Sequence, residues 1–295
     1  MLKEVMEYLD PKPGDVILDA TLNGGGHSEE ILKAIGKKGR LIGIEQDAAV
    51  LGKLKSRIKG NELWDRATLM NGNFRNLDKL LELCEVKKLD GALFDFGLSS
   101  LQLEESDRGF SFQRNAPLLM TFKSDPGPDD LTAADIVNDW DEKDIANVLY
   151  GYGGERHGRR IARSIVKARE EKRIETTFDL AEIVRRSVPA AYRKGRIDCC
   201  TRTFQALRIA VNDELNAIEE GIKKAWEMLS AGSRIVAISF HSLEDRIVKV
   251  FFREEAKKEK GKILTKRPVV PSDEELFFNP RSRSAKLRAM EKRSG

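Results

Sequence analysis

Thr21-Leu22-Asn23-Gly24-Gly25-Gly26-His27-Ser28 follows an apolar, strand-like run, Val16-Ile17-Leu18-Asp19-Ala20, and opens a helix-like run from Ser28 to Ala34. A strand that turns through three glycines into a helix brings backbone N–H groups and the positive helix end up to a ligand, an approach that Cβ atoms would block. Leu41-Ile42-Gly43-Ile44 repeats the buried-strand pattern and ends in Glu45, 21 residues beyond Gly24, a distance at which an acid suits the hydroxyl pair of a ribose. From the loop alone, a plain tight turn in an α/β sheet remains open.

The glycines narrow the choice of cofactor. A phosphate-binding P-loop needs Gly-Lys followed by Ser or Thr, whereas His27-Ser28 follow here, so ATP and GTP are disfavoured. In the dinucleotide pattern G-x-G-x-x-G, with Gly24 and Gly26 as the first two glycines, the third position falls on Glu29, whose carboxylate would repel a pyrophosphate. An adenosine cofactor without phosphates remains, with S-adenosylmethionine the leading choice.

The chain has 295 residues, 40% of them hydrophobic, enough for one large domain or two ordinary ones. No apolar stretch approaches the roughly 20 residues that span a bilayer, and MLKEVMEYLD lacks the head and core of a signal peptide, so a soluble cytoplasmic protein with no membrane partner is expected. Cys84 stands alone and Cys199-Cys200 are adjacent, which argues against a disulfide framework and a metal site. The net charge of +4 conceals an asymmetry: Arg156 to Arg208 holds fifteen Lys or Arg against six Asp or Glu, and Asn279 to Gly295 holds six against Glu291. Either run could be a solvated face or a loose basic tail, but the two together beside a nucleoside site favour nucleic acid.

Strand-like runs at 15–20, 41–45, 67–71, 89–96 and 233–240 alternate early with helical patterns at 28–36, 47–59 and 75–85, which predicts a mostly parallel sheet covered by helices. Between about Glu104 and Asp198 no strand is convincing, and Thr132–Trp140, Glu142–Leu149, Arg156–Glu171 and Thr177–Val188 read as helices of an insertion. The sheet domain is thus expected at 1–103 and 200–295 and the helical insertion at 104–199. One long helix is expected from Thr201 to Leu229, stopped by Ala231-Gly232; residues 257–280 read as an irregular or edge-strand connection, and NPRSRSAKLR as a last strand or arm.

Asp95 closes the buried run Leu89 to Phe94 at the sheet edge that binds ligands in open α/β folds, although an acid there is as often a cap or turn former. Asn73-Phe74 adds an aromatic at the level of an adenine.

The stretches DATLNGGGHS, FDFGLSSLQL, RGFSF, TRTFQALRIAVNDEL, SFHSLEDRIVK and NPRSRSAKLR, spread over residues 19 to 288, resemble the bacterial ribosomal RNA small-subunit methyltransferase H family, also called MraW. The resemblance implies a Rossmann-like class I methyltransferase sheet carrying an inserted all-helical domain. It further implies transfer of a methyl group from S-adenosylmethionine to the exocyclic N4 of one cytidine in the decoding region of small-subunit ribosomal RNA. Cofactor contacts carry over to Gly24, Gly25, Gly26, His27, Glu45, Phe74, Asp95 and Gln102. His27 could equally cap its own helix. Asp95 and Ser99 are candidates to accept the N4 proton.

The RNA partner, within the small ribosomal subunit, would meet Arg202, His241 and Arg246 at the rim, and Arg281, Arg283, Lys286 and Arg288 as phosphate contacts. A satisfied structural role is an equal reading for His241. The oligomeric state stays open, a homodimer included. The chain departs from the family pattern in starting beyond a His-x-Pro-Val leader, in Glu45 for the usual Asp, in Pro117 to Phe122, where Asp and Arg are usual, and in Asp198-Cys199-Cys200 for His-Pro-Ala. The last two are expected at the rim of the insertion, where RNA would lie. A second class of function, an RNA-binding assembly protein that keeps the pocket with weak or lost catalysis, rests on those two changes. Methylation of a small molecule or DNA is disfavoured by the basic insertion and by the resemblance.

Overall fold

The computed structural model describes residues 1–104 and 107–294, with Ser100 and Glu104 through their backbone only. Glu105 and Ser106, at the expected start of the insertion, lie outside the described residues. The chain forms two compact units, Met1–Gly97 with Leu215–Gly295, and Leu98–Glu214.

The first unit is built on a seven-stranded sheet. Its strands are β1 (Val16–Asp19), β2 (Arg40–Glu45), β3 (Ala67–Asn71), β4 (Leu89–Asp95), β5 (Leu229–Ser239), β6 (Gly261–Ile263) and β7 (Lys286–Lys292), in the spatial order β3-β2-β1-β4-β5-β7-β6. The first five run parallel, whereas β7 pairs antiparallel with β5 and β6. Alternate residues of each central strand serve opposite faces, as the strand period of two requires. Leu18, Ile42, Ala92, Phe94, Ile235 and Ala237 enter one core, and Ile17, Leu41, Leu93, Val236 and Ile238 the other. Burial on both faces is why these runs read as continuously apolar.

Helices α1 (Leu2–Leu9), α2 (Gly26–Ile35), α3 (Ala48–Ile58) and α4 (Leu77–Leu83) belong to this unit. The second unit holds α5 (Ser100–Glu104), α6 (Ala133–Asp139), α7 (Glu142–Gly151), α8 (Gly158–Glu171), α9 (Thr177–Ser187), α10 (Ala190–Arg193) and α11 (Thr201–Asn212). Reciprocal caps start two of them: Thr132 with Asp135 before α6, and Thr176 with Asp179 before α9. The chain returns to the first unit through α12 (Glu214–Met228), α13 (Ser242–Lys257) and α14 (Asp273–Phe278).

Three expectations are corrected here. The long helix from Thr201 is two helices, broken at Asp213 in the left-handed conformation (φ 48°, ψ 44°). The broken end is held by a bidentate pair in which Arg208 donates to Glu214 at 2.7 and 2.9 Å. Helix α11 belongs with the helical unit, because Phe204, Ala206 and Leu207 pack into its core with Ile161, Leu180 and Val184. Finally, Ala231-Gly232 does not stop a helix. It lies inside β5, where the pairing with β4 shifts register between Leu89 and Gly91.

The two family departures in the insertion divide between surface and core, with Pro117 and Asp198 exposed. Leu118, Met120, Thr121, Cys199 and Cys200 are all buried, and four of them fill the core of the helical unit. Burial pushes the Cys200 thiol far up, so it is a neutral, packed group.

Candidate active site

The parallel strands bring their carboxyl ends to one edge of the sheet, and the functional side chains follow from that alignment. Asp19 sits opposite Gly43 on β2 and Leu93 on β4, Glu45 opposite Asn71 on β3, and Asp95 opposite Ile238 on β5. Asp19 is fully buried and organises the turn: its carboxylate accepts from the Ser28 hydroxyl at 2.6 Å and from the Thr21 N–H at 3.2 Å. Thr21 in turn accepts the Asp95 N–H at 2.6 Å. The glycine loop is thereby tied to the ends of both central strands.

Of the three glycines, only Gly25 is demanded by the protein itself. It has φ 75°, and a Cβ there would meet Trp64 at 2.8 Å and Leu54 at 3.0 Å. A Cβ on Gly24 or Gly26 would meet nothing within 4 Å, so these two leave open space at the start of α2. Glu45 is buried and receives two backbone donors, Asn23 N–H at 2.8 Å and Asp47 N–H at 2.9 Å, one on each oxygen. Burial raises its pKa to about 7 against these hydrogen bonds, with Asp47 and Asp19 adding repulsion.

His27 does not cap its helix. The N-cap of α2 is Gly25, and the imidazole Nε2 lies 3.5 Å from Asp95 Oδ2. Burial would lower its pKa, but the Asp95 and Asp19 carboxylates outweigh burial and hold it above the usual value. The remaining atoms of this pair, His27 Nδ1 and Asp95 Oδ1, are buried without a hydrogen-bond partner among the described residues. Buried polar atoms in a folded protein are normally satisfied, so a donor–acceptor pair left open beside a glycine loop fits a ligand with both polarities. Phe74, half-buried after β3, packs edge-on against Phe94 at 5.7 Å and at a tilt against Phe96 at 6.2 Å.

Ser99 and Gln102 belong to the second unit. There the Ser99 hydroxyl accepts the Gln102 N–H at 3.1 Å and Gln102 Oε1 accepts the Ser99 N–H at 2.9 Å, a reciprocal cap on α5. Arg202 is in the same unit and donates to the Gly154 carbonyl. His241 caps α13, its Nδ1 accepting the Glu244 N–H at 3.4 Å, which favours the structural reading. Arg246, Arg281 and Arg283 are exposed, and Lys286 lies 3.9 Å from Asp245. Arg288 is a correction: it is buried on β7 and donates twice to Asp245, at 2.6 and 3.2 Å, so it is a structural ion pair and not a phosphate contact. Asp19 went unassigned from sequence. Its signal was an acid ending the strand directly before the glycine loop.

A sheet of this order, with its last strand antiparallel and its ligand edge beside a glycine turn, is that of a Rossmann-like class I methyltransferase. Within that class the chain belongs to the MraW methylase family, whose pattern it matches over residues 1–293. It is 45% identical, over 99% of its length and 97% of the other's, to the ribosomal RNA small subunit methyltransferase H of Heliobacterium mobile. It is 49% identical to the protein of the same name from a Sulfurihydrogenibium species, over 97% of this chain and 95% of the relative. Among solved structures it is similar to a putative rRNA methylase from Clostridium thermocellum, at 12% identity and a TM-score of 0.48 over 99% of this chain and 94% of that one.

Proposed function

We propose that this chain uses S-adenosylmethionine to methylate small-subunit ribosomal RNA at the exocyclic N4 of one cytidine in the decoding region. The observation that carries the reading is the near full-length similarity, at 45% and 49% identity, to proteins named ribosomal RNA small subunit methyltransferase H. The site geometry supports it from the side of the chemistry.

S-adenosylmethionine supplies a methyl group on a sulfonium, which leaves as a neutral thioether, so the protein must chiefly align nucleophile, carbon and sulfur. Glu45 is pinned by two backbone N–H groups and keeps lone pairs for two ribose hydroxyls. Phe74 offers an apolar edge for adenine, and Gly24 and Gly26 leave the helix start open to the amino-acid end. His27 Nδ1 faces that end, and the Asp95 contact, which holds the imidazole pKa above its usual value, favours the form that donates from Nδ1. The target base must leave its stack to enter. Its N4 lone pair is delocalised into the ring, and as the N4–CH3 bond forms, the nitrogen must shed a proton. Asp95 Oδ1 takes that proton in this reading, and Ser99 is the second candidate.

The decisive assay combines the purified chain, labelled S-adenosylmethionine and small ribosomal subunits lacking the modification, followed by nucleoside analysis. N4-methylcytidine is the expected product. Cofactor binding without any methylated nucleoside would overturn the proposal in favour of a binding role in ribosome assembly.

A further inference from the structure

The second unit carries a cavity of about 320 Å³ that none of the cofactor-site residues lines, bounded by Arg156, Tyr192, Arg196, Ile197, Asp198 and Arg202. Its floor is a stacked pair. The Arg156 guanidinium lies over the Tyr192 ring, 4.7 Å from the centroid, and the phenol is fixed from beneath by donating to buried Glu155 at 2.7 Å. The His157 ring braces the same phenol edge-on at 4.7 Å. Glu155 is itself held by the His157 N–H at 2.8 Å, so the platform is anchored to the start of α8.

Three guanidiniums converge here with most of their donors to spare. Among the described residues Arg156 has no hydrogen bond or ion pair, Arg196 has none, and Arg202 gives one N–H to Gly154. The single acid of the wall, Asp198, is already engaged by the Cys200 N–H at 2.8 Å and by Arg185 at 3.9 Å. A guanidinium stacked on an aromatic face keeps its planar N–H fork pointing outward, the arrangement that grips phosphate bidentately. The volume lies at the small end of ligand pockets, roughly 300–1,000 Å³, which suits one nucleotide rather than a duplex.

We propose that this cavity is an RNA-anchoring site that holds one phosphodiester of single-stranded substrate RNA, with Arg156 stacked on Tyr192 as its principal clamp. The proposal rests on the reading of the chain as an RNA methyltransferase. An anchor in the helical unit would hold a strand flanking the target base, adding affinity without reading sequence.

The test uses the full chain with a labelled single-stranded RNA of about twenty nucleotides, its affinity measured across a range of salt, beside methylation of small ribosomal subunits. For Arg156→Ala with Arg196→Ala, RNA affinity should fall about tenfold at moderate salt and the slope of log K against log salt should lessen by about 1 to 2. Tyr192→Leu, which removes only the stacking partner, should give a smaller loss in the same direction. S-adenosylhomocysteine affinity should be unchanged in both, and the loss of methylation should appear in KM for the subunit. Variants with unaltered RNA affinity and salt slope, in a chain that still methylates subunits, would overturn the anchor alone. A parent chain that neither binds RNA nor methylates it would overturn the functional reading and the anchor with it.

Discussion

Asp95 and Glu45 are the side chains on which the proposed chemistry turns, and each gives a separable prediction. Asp95→Ala should lower turnover at saturating cofactor by about 10²- to 10⁴-fold, the range for losing a positioned proton acceptor, and should also weaken S-adenosylhomocysteine binding, since the Asp95 contact holds the His27 pKa up. Unchanged turnover would remove Asp95 from the proton transfer. Glu45 has its pKa raised by burial from 4.5 to about 7, so the folded chain holds a proton that the unfolded chain gives up. Stability tied to this group is therefore fully present below pH 4.5 and is lost as pH rises to about 7, by ~3 kcal/mol for a shift of that size. Thermal melts of the parent and Glu45→Gln from pH 5 to pH 8 should show the variant gaining relative stability with pH, whatever their offset at pH 5. Cofactor affinity should rise over the same range in the parent, since ribose hydroxyls donate best to the ionised carboxylate, and should be flat in the variant. Glu45 was readable from sequence as an acid ending the second strand. Its raised pKa was not, because that depends on burial by residues distant in the chain.

The elements divide into those coded locally and those settled by packing. The glycine turn makes the contrast within one loop. Gly25→Ala should cost ~2 kcal/mol from the left-handed backbone alone, and more from the contact with Trp64, and should lower the melting temperature. Gly24→Ala and Gly26→Ala should melt like the parent yet lose cofactor affinity, because their Cβ atoms enter the open space where the cofactor is proposed to bind. Three adjacent glycines look alike in sequence, and the left-handed backbone of Gly25 with its contacts to Leu54 and Trp64, about thirty and forty residues away, tells them apart. The starts of α6 and α9 were legible because Thr-x-x-Asp is a local code, and Thr176→Ala should cost ~1 kcal/mol on thermal unfolding. The break at Asp213 was not legible, since the helical pattern continues on both sides and the turn is held by the Arg208–Glu214 pair.

For the whole molecule, the basic residues must be sorted into those that meet RNA and those that hold the fold, and charge counts alone cannot do this. Arg281→Ala with Arg283→Ala should reduce the salt slope of RNA binding and leave the melting temperature nearly unchanged, both residues being exposed. Arg288→Ala should do the reverse, costing ~2 kcal/mol by stranding Asp245 while leaving the slope intact. The parallel sheet, its two-faced core and the position of the glycine turn were determined by sequence itself. Apolar runs of strand length, helical periodicity and glycine in the strand-to-helix turn are local patterns with a direct physical meaning. Tertiary structure alone decided that α11 packs with the helical unit, that Arg288 is spent on Asp245, and that Leu118, Met120, Thr121, Cys199 and Cys200 are buried. It also left Asp95 Oδ1 and His27 Nδ1 without partners among the described residues. Each depends on which distant side chains share a buried space, and burial and pairing are properties of the packed chain that no run of neighbouring residues contains.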